Sequence, residues 1–246
     1  MKRPRRRIVG FLAVLTAAAA VGCGTAQAVV REGERVKAFE ASGRIDVRLR
    51  QGRQSRIEVD STSRLYPYLQ VWWRDGKLLL ALRDVPRRWY RRRLRVDATV
   101  GVLTHLKADA EARLRSEGRI ETARCHIYTS SEARVILPDM QADTLEIIAE
   151  CGSRLTVHGR AETVDLSARA YWERLLKCPG ARVDLRRLEA RTARVEVRDG
   201  AKVRCRASHR FEGHASEAGT IRLIRGESRP AFSTGCTTGG SVRGVR

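Results

Sequence analysis

The side chains able to do chemistry in this sequence are mostly guanidinium groups. The 246 residues carry 49 Lys and Arg against 28 Asp and Glu, a formal net charge of +21. The densest cluster is Arg87-Arg88-Trp89-Tyr90-Arg91-Arg92-Arg93. Aromatic rings set among arginines can stack on sugars or bases with cation–π support. A second set is dispersed: Arg113, Arg134, Arg154, Arg182 and Lys202 each stand in one copy of a recurring phrase. A planar guanidinium grips phosphate, sulfate or carboxylate by two-point contact, so a file of them suits a linear polyanion. An opposite set, Glu146, Asp165, Glu196 and Glu212, reads as an acidic file. Catalytic patterns are missing. The histidines His105, His126, His158, His209 and His214 lack metal-ligand spacing, and no G-x-S-x-G nucleophile motif occurs. No catalytic residue, metal or cofactor is assigned.

The phrase itself indicates what positions these groups. It runs Glu111-Ala112-Arg113-Leu114-Arg115, Glu132-Ala133-Arg134-Val135, Gly152-Ser153-Arg154-Leu155, Gly180-Ala181-Arg182-Val183, Gly200-Ala201-Lys202-Val203 and Ala218-Gly219-Thr220-Ile221. First residues lie 21, 20, 28, 20 and 18 apart. A small residue leading into apolar-x-apolar at a period near twenty predicts stacked β-strands, with the cation turned outward by the two-residue pleat. A second phrase lies between copies: Cys125-His126-Ile127, Leu145-Glu146-Ile147, Val164-Asp165-Leu166, Val195-Glu196-Val197 and Phe211-Glu212-Gly213. A third, shorter edge such as Leu188-Glu189-Ala190 makes the coil three-sided. The 28-residue step contains Ala170-Tyr171-Trp172-Glu173-Arg174-Leu175-Leu176-Lys177, an insertion that must bulge at a corner, as a lid on the core or a contact point. Upstream, Asp75-Gly76 between Leu69–Trp73 and Leu78–Leu82 predicts a β-hairpin. The Gly, Ser and Thr-rich segment from Glu227 reads as a capping strand or a loose terminus.

Residues 1–28 read as an export signal: a basic start at Lys2–Arg7, then an uncharged run from Ile8 to Val21, short for a membrane span. Two exits compete, Ala26-Gln27-Ala28 for ordinary cleavage and Ala20-Val21-Gly22-Cys23 for lipidation at Cys23. Removing residues 1–28 takes five positive charges and no negative ones, leaving +16 of the +21. Residues 29–242 are expected to form one domain and 243–246 a tail. Cys125, Cys151, Cys178, Cys205 and Cys236 remain, an odd number for an oxidising compartment. Cys151 and Cys178 fall near the same corner of successive coils and are candidates for a disulfide. The alternative is that all five are small thiols in the core.

The opening Val36-Lys37-Ala38-Phe39-Glu40-Ala41-Ser42-Gly43-Arg44-Ile45-Asp46-Val47-Arg48-Leu49-Arg50-Gln51-Gly52, the Asp75-Gly76-Lys77-Leu78 turn, the phrases, and Ile224-Arg225-Gly226 with Pro230 resemble the head GIN domain family of autotransporter-adhesin-like heads. The resemblance covers about Val36 to Val242. Only Gly152, Gly180 and Gly200 keep the glycine of the family's usual Ser-Gly-Gly or Ser-Gly-Ala phrase. It implies an all-β, right-handed parallel β-helix in an exported or surface-anchored bacterial protein, and it supplies no catalytic residues.

These readings converge on a non-catalytic, adhesin-like protein of the periplasm, outer membrane or cell surface, lipid-anchored if Cys23 is acylated. Its expected partners are anionic glycan, lipopolysaccharide or a membrane surface. Nucleic acid is set aside because the chain is read as exported. The competing class is a structural envelope protein that self-associates, acidic file against basic file, without a specific ligand. A third class is a polysaccharide-active enzyme, for which Glu146, Asp165 and Glu196 could stand as clustered carboxylates, though they read more simply as the outward positions of regular strands.

Overall fold

A computed structural model describes residues 28–33, 35–170, 172–173, 176–224, 231–236 and 239–245. The export signal with Cys23, residues Tyr171, Arg174 and Leu175 of the insertion, and Gly226 and Pro230 lie outside them.

The protein is all-β, and its strands form one large, mostly parallel sheet wound into a β-helix-like coil. The first face is the phrase itself. Ile45–Gln51, Arg113–Ser116, residues 134–136 and 154–156, Arg182–Asp184, Lys202–Cys205, Thr220–Ile224 and Ser241–Val245 stack in that order, all parallel. Their inward positions, Val47, Leu114, Val135, Leu155, Val183, Val203 and Ile221, are buried one upon another. The second face stacks Ala38–Ser42, His105–Asp109 and residues 126–129, 145–149, 164–168, 193–197 and 211–215, then Ala231–Cys236. Phe39, Leu106, Ile127, Ile147, Leu166 and Val195 fill its inside. A third, shorter face joins residues 120–122, 140–142, 159–161 and 188–190. Each buried aliphatic side chain gains roughly 1.5–3 kcal/mol over an exposed one, so the axial apolar files hold turn to turn.

The small residue of the phrase has a structural cause. Between second and first faces the chain turns through two consecutive left-handed residues: Ala110 and Glu111 (φ 48° and 65°), Ser131 and Glu132 (49° and 62°), Cys151 and Gly152 (48° and 72°), Asp199 and Gly200 (54° and 71°). The residue that follows points into the coil where two faces converge. Ala112, Ala133, Ser153 and Ala201 occupy it with no exposure at all, and Ala181 is equally buried after the insertion, where no left-handed pair precedes it. The corners bond along the axis, Glu111 N–H to the Ser131 carbonyl and Glu132 N–H to that of Cys151, both at 2.9 Å. Gly159, at the corner entering the third face, is needed for itself. Its φ is +120°, and a Cβ there would lie 2.1 Å from the Met140 carbonyl oxygen.

Antiparallel strands close the N-terminal end. Leu69–Arg74 and Lys77–Leu82 form the expected hairpin, with Asp75 and Gly76 at φ 54° and 71°, the double left-handed turn that suits strand twist. Lys77–Leu82 lies along one edge of Ala38–Ser42. Leu94–Val100, Ser55–Asp60 and Ala28–Gly33 extend the sheet beyond Ile45–Gln51. Edges of the first turn that would otherwise be open are thereby paired.

The insertion emerges at the second-to-first-face corner as an antiparallel pair, Trp172–Glu173 with Leu176–Lys177, outside the main sheet. At the C-terminus the capping alternative holds: Ala231–Cys236 and Ser241–Val245 add a last turn, and Arg243, expected to begin a tail, lies inside that strand.

Candidate functional site

The register stacks Arg113 on Arg134, Arg134 on Arg154, Arg154 on Arg182 and Arg182 on Lys202, directly above one another on the first face. Neighbouring strands lie about 4.8 Å apart. All five are exposed, and no ion pair holds any of them among the described residues. A parallel file two residues on, missed in the sequence, runs Arg115, Ile136, Thr156, Asp184, Arg204, Arg222 and Arg243. The second outward position in Leu114-Arg115, Val203-Arg204 and Ile221-Arg222 carried that signal. The carboxylate of this file, Asp184, is gripped by Arg186 at 2.8 Å. Burial works to raise its carboxyl, but the Arg186 bonds and the neighbouring Arg204 outweigh it and hold the group below 3.8.

The other faces balance their charges. Arg124 meets Glu146 at 3.8 Å, Arg194 meets Glu212 at 3.3 Å, and Arg198 pairs with Glu196. On the third face Arg160 meets Glu189 at 3.3 Å and Arg191 meets Glu162 at 3.6 Å. The acidic file expected from Glu146, Asp165, Glu196 and Glu212 is corrected here. Glu146 and Asp165 do stack, but Arg194 follows them and Glu212 follows Arg194. Glu196 belongs to the next file, beside Ser167 and His214. The inward residue before Arg194 is Ala193, stacked against Phe211. The phenylalanine ring fills the core there, so an alanine suffices and the apolar pattern shifts by one pleat.

The Arg87–Arg93 cluster is divided by its surroundings. Pro86 starts a single 3-10 turn, Arg87–Trp89, and the Tyr90 and Arg92 N–H groups bond the Arg87 and Trp89 carbonyls at 3.2 and 2.9 Å. Trp89 is half-buried, edge-on to Tyr68 with centroids 5.7 Å apart and with Arg88 4.7 Å over its ring. Arg93 turns inward, its side chain 15% exposed, and bonds Asp46 and the Glu111 carbonyl. Arg44 reaches from the first turn to the Tyr90 carbonyl and, at 2.7 Å, to Glu111. Arg93 and Arg44 therefore fasten the loop to the coil. Arg87, Arg88, Tyr90, Arg91 and Arg92 face solvent. Beneath the loop lies a cavity of about 380 Å³.

Cys125 and Cys205 are buried in the core, where burial pushes both thiols up to about 12. Cys236 is exposed on the last turn. Among the described residues no cluster of His, Cys, Asp and Glu is placed to hold a metal, and no helix is long and apolar enough to cross a membrane.

A coil of parallel strands whose first face bears exposed cations without ion-pair partners among the described residues, with loops fastened at its corners, defines a β-helix-like scaffold. Residues 37–226 match the family model described as "Putative auto-transporter adhesin, head GIN domain", and the chain belongs to that family. That description names an adhesin head and no catalytic activity. Solved structures share the fold at low identity. A putative adhesin from Bacteroides fragilis is 11% identical, with TM-score 0.71 over 90% of this chain and 98% of that one. A putative adhesin from Parabacteroides merdae is 15% identical, with TM-score 0.63 over 92% and 98%. A protein from Parabacteroides distasonis described as a putative lipid binding protein is 13% identical, with TM-score 0.65 over 91% and 98%. Among curated proteins none matches the chain.

Proposed function

We propose that this protein is exported and binds anionic glycans, lipopolysaccharide or an anionic membrane surface through its first face, as an adhesin-like receptor without catalysis. One observation carries the reading: Arg113, Arg134, Arg154, Arg182 and Lys202 stack in register and exposed, without ion pairs among the described residues, while arginines on the other faces are paired. Like charges held about 4.8 Å apart repel, and a polyanion laid along the file relieves that repulsion. The exposed Arg87, Arg88, Arg91 and Arg92 extend the cationic surface at the loop. The coil is right-handed, with about twenty residues per turn, as parallel strand connections strongly prefer. Export through residues 1–28, with Cys23 as the lipid-bearing residue if the lipidation exit is used, puts the protein at the envelope. A Cys151–Cys178 disulfide, not formed in this structure, is part of the same proposal: Gly152 and Pro179, the residues that follow the two cysteines, approach each other at this corner. Self-association of acidic on basic file has less support, since Glu146, Glu196 and Glu212 hold ion pairs within the chain.

The test is binding of the purified protein to arrayed anionic and neutral glycans and to lipopolysaccharide, at low and physiological salt. Beside it stands a variant with the five file cations changed to Ser, and another with Arg87, Arg88, Arg91 and Arg92 changed to Ser. Binding to anionic ligands that weakens with salt and collapses in the file variant supports the proposal. Binding unchanged in both variants, or equal on neutral and anionic ligands, refutes it.

A further inference from the structure

The cavity under the 84–92 loop has a composition distinct from the first face. Leu65, Leu82 and Val85 form its back, with Trp89 beside them. Leu65 is 1% exposed, so this wall is continuous with the core. Its rim carries two carboxylates and two guanidiniums: Glu111 and Arg44, already bonded to each other, and Asp84 and Arg92. Neither Asp84 nor Arg92 has an ion-pair partner among the described residues, and both are exposed. The charges of the lining itself thus cancel, although Arg87, Arg88 and Arg91 stand exposed on the same loop beside it, and the cationic file starts two residues beyond it at Arg113. A polyanion entering would meet Asp84 and Glu111, and a cation would meet Arg44 and Arg92. What fits is a neutral ligand with one apolar face and several hydroxyls, able to donate to a carboxylate and accept from a guanidinium at once. A pyranose ring has that chemistry. About 380 Å³ lies at the small end of ligand cavities, enough for one or two rings and too little for a longer segment. The site is also preorganised, since Arg44 bonds both the Tyr90 carbonyl of the loop and Glu111, and Arg93 at the loop's end bonds the Glu111 carbonyl.

We propose that this cavity is a saccharide site that takes an uncharged terminal sugar ring, stacked against Trp89 and Tyr90 and held through its hydroxyls by Asp84 and Arg92. The inference rests on the reading of the protein as a glycan receptor and adds a second site with different selectivity. Because Glu111 lies on the rim and Arg113 opens the file, one glycan can place a neutral end ring in the cavity and run its anionic part along the first face.

The experiment titrates maltose, cellobiose, lactose and chitobiose, with heparin as the polyanion probe, into the wild-type protein, Asp84→Asn, Val85→Phe and the five-residue file variant. Indole N–H resonances and calorimetry are the readouts, and thermal melts verify that each variant is folded. Val85→Phe fills the cavity without changing charge. In about 0.5 M salt, where surface charge is screened, at least one disaccharide is expected to bind the wild type and the file variant equally. Asp84→Asn should weaken that binding about tenfold, as loss of a charged hydrogen-bond partner does, and Val85→Phe should abolish it. Failure of all four disaccharides to bind, or binding that survives in folded Val85→Phe, overturns the proposal. Heparin binding at low salt, lost in the file variant alone, reports separately on the first face, so either site can fail without the other.

Discussion

Tyr128 donates its hydroxyl hydrogen to Glu150 Oε2 at 2.8 Å, and Arg169 Nε holds the other oxygen at 2.7 Å. Glu150 is only 7% exposed at this corner. Burial, then the bond to Glu150, pushes the Tyr128 hydroxyl above its ordinary value of 10. Glu150→Ala leaves that hydroxyl and the Arg169 guanidinium without their acceptor, and should cost about 1–3 kcal/mol in urea unfolding. Glu150→Gln keeps one acceptor oxygen and should cost less. Equal losses would mean that the carboxylate is not what joins these turns.

Gly159→Ala should be among the most damaging single-methyl changes in the protein. The added Cβ meets the Met140 carbonyl at 2.1 Å while φ stays near +120°. Strain of this kind costs on the order of 1–3 kcal/mol even without a clash, and the third face must move to relieve it. A melting temperature within error of wild type would show that this corner is not rigid.

Stability should depend on pH through Asp199 and Glu217, stacked at one corner. The hydrogen bond between the two carboxyls, then the Asp199 charge, raises Glu217 above 4.5. A raised carboxyl contributes fully below its unfolded value, and the contribution is lost as pH rises through the folded one. Glu217→Gln keeps a neutral donor at every pH. It should therefore stabilise the protein at about pH 7 and match wild type in acid. A constant difference across the range would refute the carboxyl pair.

Alkylation kinetics should sort the thiols. Cys236 should react in the native protein, while Cys125 and Cys205, pushed up to about 12, should react only on unfolding. With the proposed Cys151–Cys178 bond formed, those two residues label only after reduction. Labelling of both in unfolded, unreduced protein removes the pairing.

The cation file was legible because each phrase carries its own phase marker. A small residue that must fit the corner precedes the Arg or Lys by one, so Ala112, Ala133 and Ala181 fix the register of Arg113, Arg134 and Arg182. The second phrase has no such marker. Ala193-Arg194-Val195 and Val195-Glu196-Val197 are both apolar-x-apolar, and only the core volume taken by Phe211 selects the first. Within Arg87–Arg93 seven residues read alike as a basic run. Arg93 is withdrawn by Asp46 and the Glu111 carbonyl, partners 47 and 18 residues away, and no local pattern announces contacts at such separations. The cavity was invisible for the same reason, since Leu65, Leu82 and Trp89 converge only once the first turn closes.

The backbone bonds that link corner to corner run along the coil axis, and this sets how the molecule bears load. Tension applied along that axis meets the turns in series, so they should yield one after another. Opening the stretch from Arg134 to its stacked partner Arg154 would release on the order of 70 Å of chain. A coil built this way lengthens in steps under a pull and spreads the force over time, and surviving turns can take back the lost one when the pull relents.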